Sequence, residues 1–194
     1  VSRDGKLIVS GSDGNTVKLW SGRCMSTMEG HICGVHSVSF SPDGKLIVSG
    51  SDGITVKVWE ASSGRCLSTL EGHTHYVYSV SISRDGKLIV SGSHDKTVKV
   101  WEVSSGRCVM TIAGHSECVS SVVFSPSGHT IASASWDKTV KIWDAATGCC
   151  VSTLAEHVDF VYSVAFSGDG KLLASGSHSS IKIWTFASEL GVCR

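Results

Sequence analysis

The sequence repeats itself about every 42 residues, and this repeat restricts the fold more than any other feature. Four similar strings, SGSDGNTVKLW, SGSDGITVKVW, SGSHDKTVKVW and SASWDKTVKIW, begin at Ser10, Ser49, Ser91 and Ser133, and a shorter fifth, SGSHSSIKIW, begins at Ser175. Each string ends in a tryptophan. A chain of near-identical units folds by stacking copies of one small structural element, so the structure of one unit largely determines the structure of the whole.

Within one unit the side-chain pattern has a period of two. The stretch VYSVSIS places Tyr78, Val80 and Ile82 on one face of an extended chain, and the runs KLIVSGS and TVKVWE that follow are short and rich in β-branched residues. The strings SPDGK at Ser41 and SRDGK at Ser83 are typical of tight hairpin turns. Each unit therefore predicts four antiparallel strands, and the chain predicts an all-β fold.

A second pattern links these units to a known family. Gly-His pairs at Gly30-His31, Gly72-His73 and Gly114-His115 are each followed by a strand pair, an S-x-D string and a final tryptophan, and this pattern resembles the WD-repeat β-propeller. The resemblance implies one domain, 1–194, of about five four-stranded antiparallel blades, the first and last incomplete, in part of a larger ring. The units are 1–29 (partial), 30–71, 72–113, 114–155 and 156–194 (a degenerate end). The repeats are most similar to those of vegetative-incompatibility proteins and other signalling NTPases.

The resemblance also implies a buried hydrogen-bonded network in each blade, made of the loop His, a strand Ser, the turn Asp and the Trp. Two complete sets are present: His73, Ser91, Asp95 and Trp101, and His115, Ser133, Asp137 and Trp143. A catalytic triad is the other interpretation of His, Ser and Asp, but a nucleophile must be exposed and unique, whereas these sets are repeated. Gly14 and Gly53 occupy the Asp position in the first two units, so we expect a complete network only in the two middle units.

The two ends of the chain do not complement each other. The first unit lacks nearly all of its innermost strand, and the final string TFASELGVCR only weakly resembles the outer strand RCLSTL of the other units. An open arc would expose two apolar faces of about 500 Å² each and forgo roughly 12 kcal/mol of burial per face. Three outcomes stay open: a fragment of a larger propeller, closure as a five-bladed ring, and self-association through exposed terminal blades.

Positions that vary between units at equivalent places are candidate contacts with a partner. One series follows the first Val of the inner strand, and the other precedes the network Asp position. The first is His36, Tyr78, Ser120 and Tyr162, and the second is Asp52, His94, Trp136 and His178, with Asp13 as the equivalent in the first unit. Both resemble top-face positions around the central opening of WD-repeat proteins, and Tyr and Trp are enriched in binding hot spots. We expect Trp136 to anchor a partner; alternatively, its ring only covers a neighbouring loop.

Charge and composition narrow the functional classes. Lys+Arg and Asp+Glu number 17 each, so no net charge attracts nucleic acid or an anionic membrane. No run of 18 apolar residues and no signal-like start appears, which predicts a soluble chain of the cytoplasm or nucleus. The evenly spaced Cys24, Cys66, Cys108 and Cys150 do not suit disulfides or zinc, so we expect buried or half-buried thiols in a reducing compartment.

These observations lead to a functional hypothesis. We expect a non-catalytic scaffold that binds a protein or peptide through the top face of the propeller, with no metal and no cofactor. The alternative is a ligand-sensing repeat array of a larger signalling NTPase. An enzyme is disfavoured because no unit carries a unique constellation of titratable groups.

Overall fold

The computed structural model describes residues 1–186, and every regular element among them is a β-strand. In chain order these are β1 (Ile8–Gly11), β2 (Val17–Ser21), β3 (Arg23–Met28), β4 (Val35–Phe40), β5 (Leu46–Ser51), β6 (Val56–Glu60), β7 (Cys66–Leu70), β8 (Val77–Ile82), β9 (Leu88–Ser93), β10 (Thr97–Glu102), β11 (Cys108–Ala113), β12 (Val119–Phe124), β13 (Thr130–Ser135), β14 (Val140–Asp144), β15 (Cys150–Leu154), β16 (Val161–Phe166), β17 (Leu172–Ser177) and β18 (Ile181–Thr185). Most of the TFASELGVCR string lies outside the described residues. Over residues 1–186, no helix has the length and apolar character needed to cross a membrane.

The described strands form five antiparallel sheets, each in simple chain order. The first sheet is β1–β3, the second β4–β7, the third β8–β11, the fourth β12–β15 and the fifth β16–β18. The predicted all-β, blade-like architecture is confirmed. The first sheet lacks the inner strand that the others have, and the fifth has three strands among the described residues.

The tryptophans of the repeat occupy matching places in consecutive sheets. Within their sheets, Trp59 lies opposite Ile47, Trp101 opposite Ile89, and Trp143 opposite Ile131. On its other side each lies opposite a cysteine of the outermost strand, next to a shift in register. The near-identical strings therefore occupy equivalent positions in consecutive sheets.

The turns predicted from Ser-x-Asp-Gly-Lys are built by their own side chains. Ser41 donates its hydroxyl to Asp43 Oδ1 at 2.6 Å, and the same oxygen accepts the backbone N–H of Lys45 at 3.0 Å. Gly44 has φ of 72°, a left-handed conformation that favours glycine. This local chemistry connects the first and second strands of the second sheet, and it recurs in the first, third and fifth sheets.

Loops alternate between two faces of the arc because consecutive strands are antiparallel. We call the face that carries loops such as 52–55 and 71–76, after the second and fourth strands of a sheet, the top face. The bottom face carries loops such as 41–45 and 61–65, after the first and third strands.

Neighbouring sheets pack through the same residues each time. Val56, Val58 and Leu70 of the second sheet form one buried cluster with Ile89 and Trp101 of the third. Burying one such side chain contributes about 1.5–3 kcal/mol relative to leaving it exposed. The hydrophobic core is therefore a series of layers between sheets, and each sheet depends on its neighbours for stability.

The five sheets form an open arc. Consecutive sheets contact one another mainly through their inner strands, whereas the first and fifth sheets do not pack together among the described residues. Ile181 and Ile183 of the fifth sheet are 77% and 60% exposed, although the equivalent Val140 and Ile142 are fully buried. The five described sheets are therefore not closed into a five-bladed ring, which is consistent with part of a larger ring.

The thiols differ from expectation. Cys24, Cys66, Cys108 and Cys150 are exposed, so the prediction of buried or half-buried thiols is wrong for this series. They lie near the start of the outermost strands, at the edges of their sheets. Cys118 is buried and Cys33 is half-buried, both in top-face loops.

Candidate functional site

A buried hydrogen-bonded network joins four side chains in each of the third and fourth sheets. In the third, Trp101 Nε1 lies 2.8 Å from Ser91 Oγ, and His73 Nε2 lies 2.7 Å from the same oxygen. His73 Nδ1 then lies 2.7 Å from Asp95 Oδ2. The fourth sheet repeats these contacts, at 2.7 Å each, through Trp143, Ser133, His115 and Asp137.

The chemistry of the donors sets the direction of these hydrogen bonds. An indole N–H can only donate, so Ser91 Oγ accepts from Trp101, and the serine hydrogen is left for His73 Nε2. His73 therefore carries its proton on Nδ1 and donates it to Asp95. Burial raises the pKa of Asp95, but the hydrogen bonds from His73 and Thr97 outweigh it and hold that pKa well below its usual range.

The network joins the two top-face loops of its sheet. Asp95 also accepts the backbone N–H of Thr74 at 3.1 Å, which ties loop 71–76 to the turn that follows β9. Ser91 is fully buried and His73 nearly so. A satisfied network of this kind is rigid, so the loops that present residues to a partner are held in place.

The second sheet keeps only part of the network. His31 Nε2 lies 2.6 Å from Ser49 Oγ, and Trp59 donates to the same oxygen at 2.8 Å. Gly53 stands where the third sheet has Asp95, and His31 Nδ1 is buried without a hydrogen-bond partner. Burial, with Lys57 as a smaller cause, lowers the pKa of His31 to about 4. In the fifth sheet, His157 and Trp184 share Ser175 in the same way, also without an Asp.

The glycine before the loop His has a structural role. Gly72 has φ of 147°, and a Cβ at this position would lie 3.4 Å from Trp101 Cη2. The Gly-His pair therefore lets the loop backbone lie directly on the indole ring.

The two series of candidate contact residues meet on the top face. Members of the second series lie in turns after the second strand, and backbone hydrogen bonds tie these turns to the neighbouring loop of the same sheet. His94 N donates to Tyr76 O at 2.9 Å, and Trp136 N donates to Cys118 O at 3.0 Å. Members of the first series are the second residues of the inner strands, close to the same face.

Rings from four sheets form a continuous surface, which we call the aromatic belt. It consists of His36, His75, Tyr76, Tyr78, His94, Trp136 and Phe160. Ring centroids are 5.3 Å apart for His36 and Tyr78, and 5.8 Å for Tyr78 and Trp136. These separations are typical of favourable aromatic pairs. The belt crosses from the second sheet to the fifth.

Trp136 lies inside the belt. Phe160 stacks on it with centroids 5.6 Å apart and planes at 17°, while Tyr78 and His94 contact it at 5.8 and 6.0 Å. Its Nε1 is buried and has no hydrogen-bond partner. The ring thus supports its neighbours, whereas Tyr76, Phe160 and Tyr162 are open to solvent, at 41%, 40% and 46% exposure.

Three belt residues, His75, Tyr76 and Phe160, were absent from the sequence prediction. A signal for two of them exists in the repeat: the third residue after each loop His is Gly34, Tyr76, Cys118 and Phe160 in successive units. This position varies as strongly as the two series that were selected. The residue two after each loop His, which is His75 in the third sheet, varies in the same way, and His75 stacks on His94 at 4.0 Å.

Most of the other predicted residues are not members of the belt, although Asp52 contacts His36, which is. His36 Nε2 lies 2.6 Å from Asp52 Oδ1, and a Cβ on Gly34 would lie within 4 Å of both Asp13 and Asp52. Ser120 Oγ lies 2.5 Å from the Val161 carbonyl, so this hydroxyl serves a contact between sheets. Tyr162 and His178 lie on the fifth sheet, exposed and outside the ring contacts of the belt.

Tyr78 is a titratable ring within the belt. Burial is the main cause that raises the pKa of Tyr78, with smaller effects from Cys118 and Asp52, so the phenol stays protonated at neutral pH. Over residues 1–186, no group of three or more His, Cys, Asp or Glu side chains is arranged to hold a metal ion. The belt therefore offers aromatic ring surfaces and hydrogen-bond donors to a ligand.

Comparison with known families agrees with this architecture. The family model for the WD domain, G-beta repeat matches residues 1–21, 22–60, 64–102, 106–144 and 148–185. Each match from the second onward begins near the outermost strand of one sheet and ends with the third strand of the next, so each repeat spans two neighbouring sheets. Among curated proteins no similar sequence was found.

Proposed function

The chain belongs to the WD domain, G-beta repeat family, and from this premise we propose that it is a non-catalytic scaffold that binds a protein or peptide through the aromatic belt. Repeats of this family generally mediate protein–protein interactions, and their domains are typically non-catalytic. Five sheets held by layered packing present one shared face, and that face carries the belt.

One observation carries the proposal: large rings are exposed side by side across several sheets on a rigid face. Tyr76 and Phe160 are each about two-fifths exposed, and the Tyr76 carbonyl accepts the backbone N–H of His94 at 2.9 Å. Aromatic side chains lose little conformational entropy on binding and bury a large area, which is why they act as anchors at interfaces. Trp136 and Tyr78 hold these anchors in position from beneath.

The proposal is tested with peptides selected from a random display library on the purified chain. The combined variant Tyr76→Ala, Phe160→Ala and Tyr162→Ala is expected to weaken their binding about 30-fold or more, the effect of losing a hot spot of 2 kcal/mol. Fluorescence polarisation measures the Kd. Leu67→Ala with Val109→Ala, two exposed apolar residues of the outermost strands, serves as the control and should leave the Kd unchanged. Peptides that bind the triple variant as tightly as the wild-type chain would refute this site.

A ligand-sensing array within a signalling NTPase is the second candidate. It is supported by the near-identity of the units, in which LIVSGS recurs three times, at Leu7, Leu46 and Leu88. The full-length gene separates the two candidates, since a phosphate-binding loop encoded in the same reading frame would favour the sensor.

We further propose that a second copy of the chain covers the open face of the fifth sheet. That face exposes Ile181 and Ile183. At the other end of the arc, the first sheet exposes Ile8, whereas the equivalent Ile47 of the second sheet is buried against the first sheet. Ile181→Lys with Ile183→Lys is expected to shift the concentration-dependent mass, measured by analytical ultracentrifugation, to that of a monomer. Leu67→Lys, on an outermost strand, should not. A wild-type chain that is already monomeric at high concentration would contradict this.

A further inference from the structure

The bottom face contains a cavity that the proposed function does not use. It has a volume of about 450 Å³ and is lined by residues from all five sheets, among them Arg3, Pro42, Arg84, Phe124, Pro126 and Phe166. Small-molecule sites are typically 300–1,000 Å³ in volume and largely apolar. We call this space the bottom cavity. It lies at the opposite end of the strands from the aromatic belt.

The charges that line the bottom cavity are all positive. Arg3 and Arg84 are its charged lining residues, and over residues 1–186 neither guanidinium lies within 4 Å of a carboxylate. Arg84 Nη1 donates to the Pro126 carbonyl at 3.4 Å, and this hydrogen bond holds the side chain near the fourth sheet. Most of the donors of both guanidinium groups are thus left for a ligand.

The nearest carboxylates are occupied within their own turns. Asp4 Oδ1 accepts from the Ser2 hydroxyl at 2.6 Å and from Lys6 N at 3.1 Å, and Asp85 makes the same contacts with Ser83 and Lys87. Those serine hydroxyls, as the main cause, hold the pKa of both carboxyls below its usual range. These aspartates therefore make no ion pair with Arg3 or Arg84 over residues 1–186, and they are absent from the cavity lining.

Repeat comparison points to the same residues. In the bottom-face turn the first residue is always Ser and the fourth always Gly, because the turn requires them, but the second residue changes. It is Arg3, Pro42, Arg84, Pro126 and Gly168 in successive sheets, and all five line the bottom cavity. Because the turn does not require a particular residue at this second position, the side chain there is available to contact a ligand.

We propose that the bottom cavity binds an anionic group, a phosphate or carboxylate, carried on an aromatic or apolar body. Guanidinium groups suit such oxyanions because they donate parallel hydrogen bonds. Phe124, Phe166 and the two prolines supply the apolar wall against which the body of the ligand packs. The inference does not depend on the function proposed for the aromatic belt.

Phenyl phosphate is the probe that tests this proposal. Titration into ¹⁵N-labelled chain should shift the backbone signals around residues 82–84, 124–126 and 166–168, and the Kd should be lower than for inorganic phosphate or benzyl alcohol. Arg84→Gln is expected to weaken binding at least tenfold, the effect of losing one charge-assisted hydrogen bond. Arg107→Gln, an exposed arginine in a bottom-face loop that does not line the cavity, is the matched control and should change nothing.

Two comparisons complete the test. A phosphotyrosine peptide carries the same phenyl phosphate group: tighter binding than the free compound identifies a peptide ligand, and weaker binding identifies a small molecule. Either result supports the site, provided that the unphosphorylated peptide does not bind. Equal affinity of the wild-type and Arg84→Gln chains, or equal affinity for inorganic phosphate and phenyl phosphate, overturns the proposal. The top-face variant Tyr76→Ala, Phe160→Ala and Tyr162→Ala should bind phenyl phosphate normally, so that failure of one proposal does not imply failure of the other.

Discussion

Replacing Trp101 with alanine is expected to lower the free energy of unfolding by about 3–5 kcal/mol, the usual cost of deleting a buried aromatic ring. Trp101 is 1% exposed, and it packs in the layer between the second and third sheets with Val56, Val58 and Leu70. The variant also leaves Ser91 without its indole donor. Because one layer holds two sheets together, the effect should reach beyond the third sheet.

Urea denaturation followed by circular dichroism measures this loss, and the chain supplies a matched control. Trp184 donates to Ser175 at 2.8 Å, as Trp101 does to Ser91, but it lies partly exposed at the open end of the arc. Trp184→Ala therefore removes the same ring and the same hydrogen bond with less burial, and should cost clearly less. Equal losses for the two variants would show that burial between sheets is not what makes Trp101 important.

Replacing Asp95 with alanine is the second large effect, expected to cost about 3 kcal/mol because it leaves the buried ring N–H of His73 unpaired. His73 Nδ1 and the backbone N–H of Thr74 both lose their acceptor. Asp52→Ala is the control: this carboxylate lies one turn position earlier in the second sheet, is partly exposed and pairs with His36, so its loss should cost about 0–1 kcal/mol.

The effect of Asp95 should depend on pH in one direction. The pKa of this carboxyl is lowered on folding from an ordinary value of 3.8, so its stabilising contribution is complete above that value and decreases as the pH falls below it. The difference in unfolding free energy between the wild-type and Asp95→Ala chains should be constant from pH 5 to 8 and narrow below about pH 4. A difference that stays unchanged at pH 3 would show that Asp95 is not held as an anion by the network.

Most of the fold could be predicted from local signals. The period of two in VYSVSIS predicts a strand, Asp-Gly in SPDGK predicts the turn, and the recurrence of both predicts that each sheet is a copy of the last. The structure brings the side chains of the expected network within hydrogen-bond distance of one another in two sheets. These features need only contacts within one unit, so a single unit carries the information.

The candidate site was predicted less completely. His36, Tyr78, His94 and Trp136 were selected by their variation, and they lie together, but the exposed belt rings Tyr76 and Phe160 were not selected. Trp136 was predicted to be an exposed anchor, whereas Phe160 from the next sheet covers one face of its ring. Exposure of a ring depends on residues of other units, which repeat alignment does not show.

The sequence by itself determined an all-β chain of five similar units, their turns and the partners within each buried network, because these follow from pattern and chemistry over a few dozen neighbouring residues. Only the tertiary structure decided that the arc stays open, that the outer cysteines are exposed, that rings of four sheets join into one belt, and that Arg3 and Arg84 share a cavity. Each of those facts depends on how the sheets are arranged relative to one another. That arrangement is set by the packing of whole layers, which no single stretch of sequence encodes.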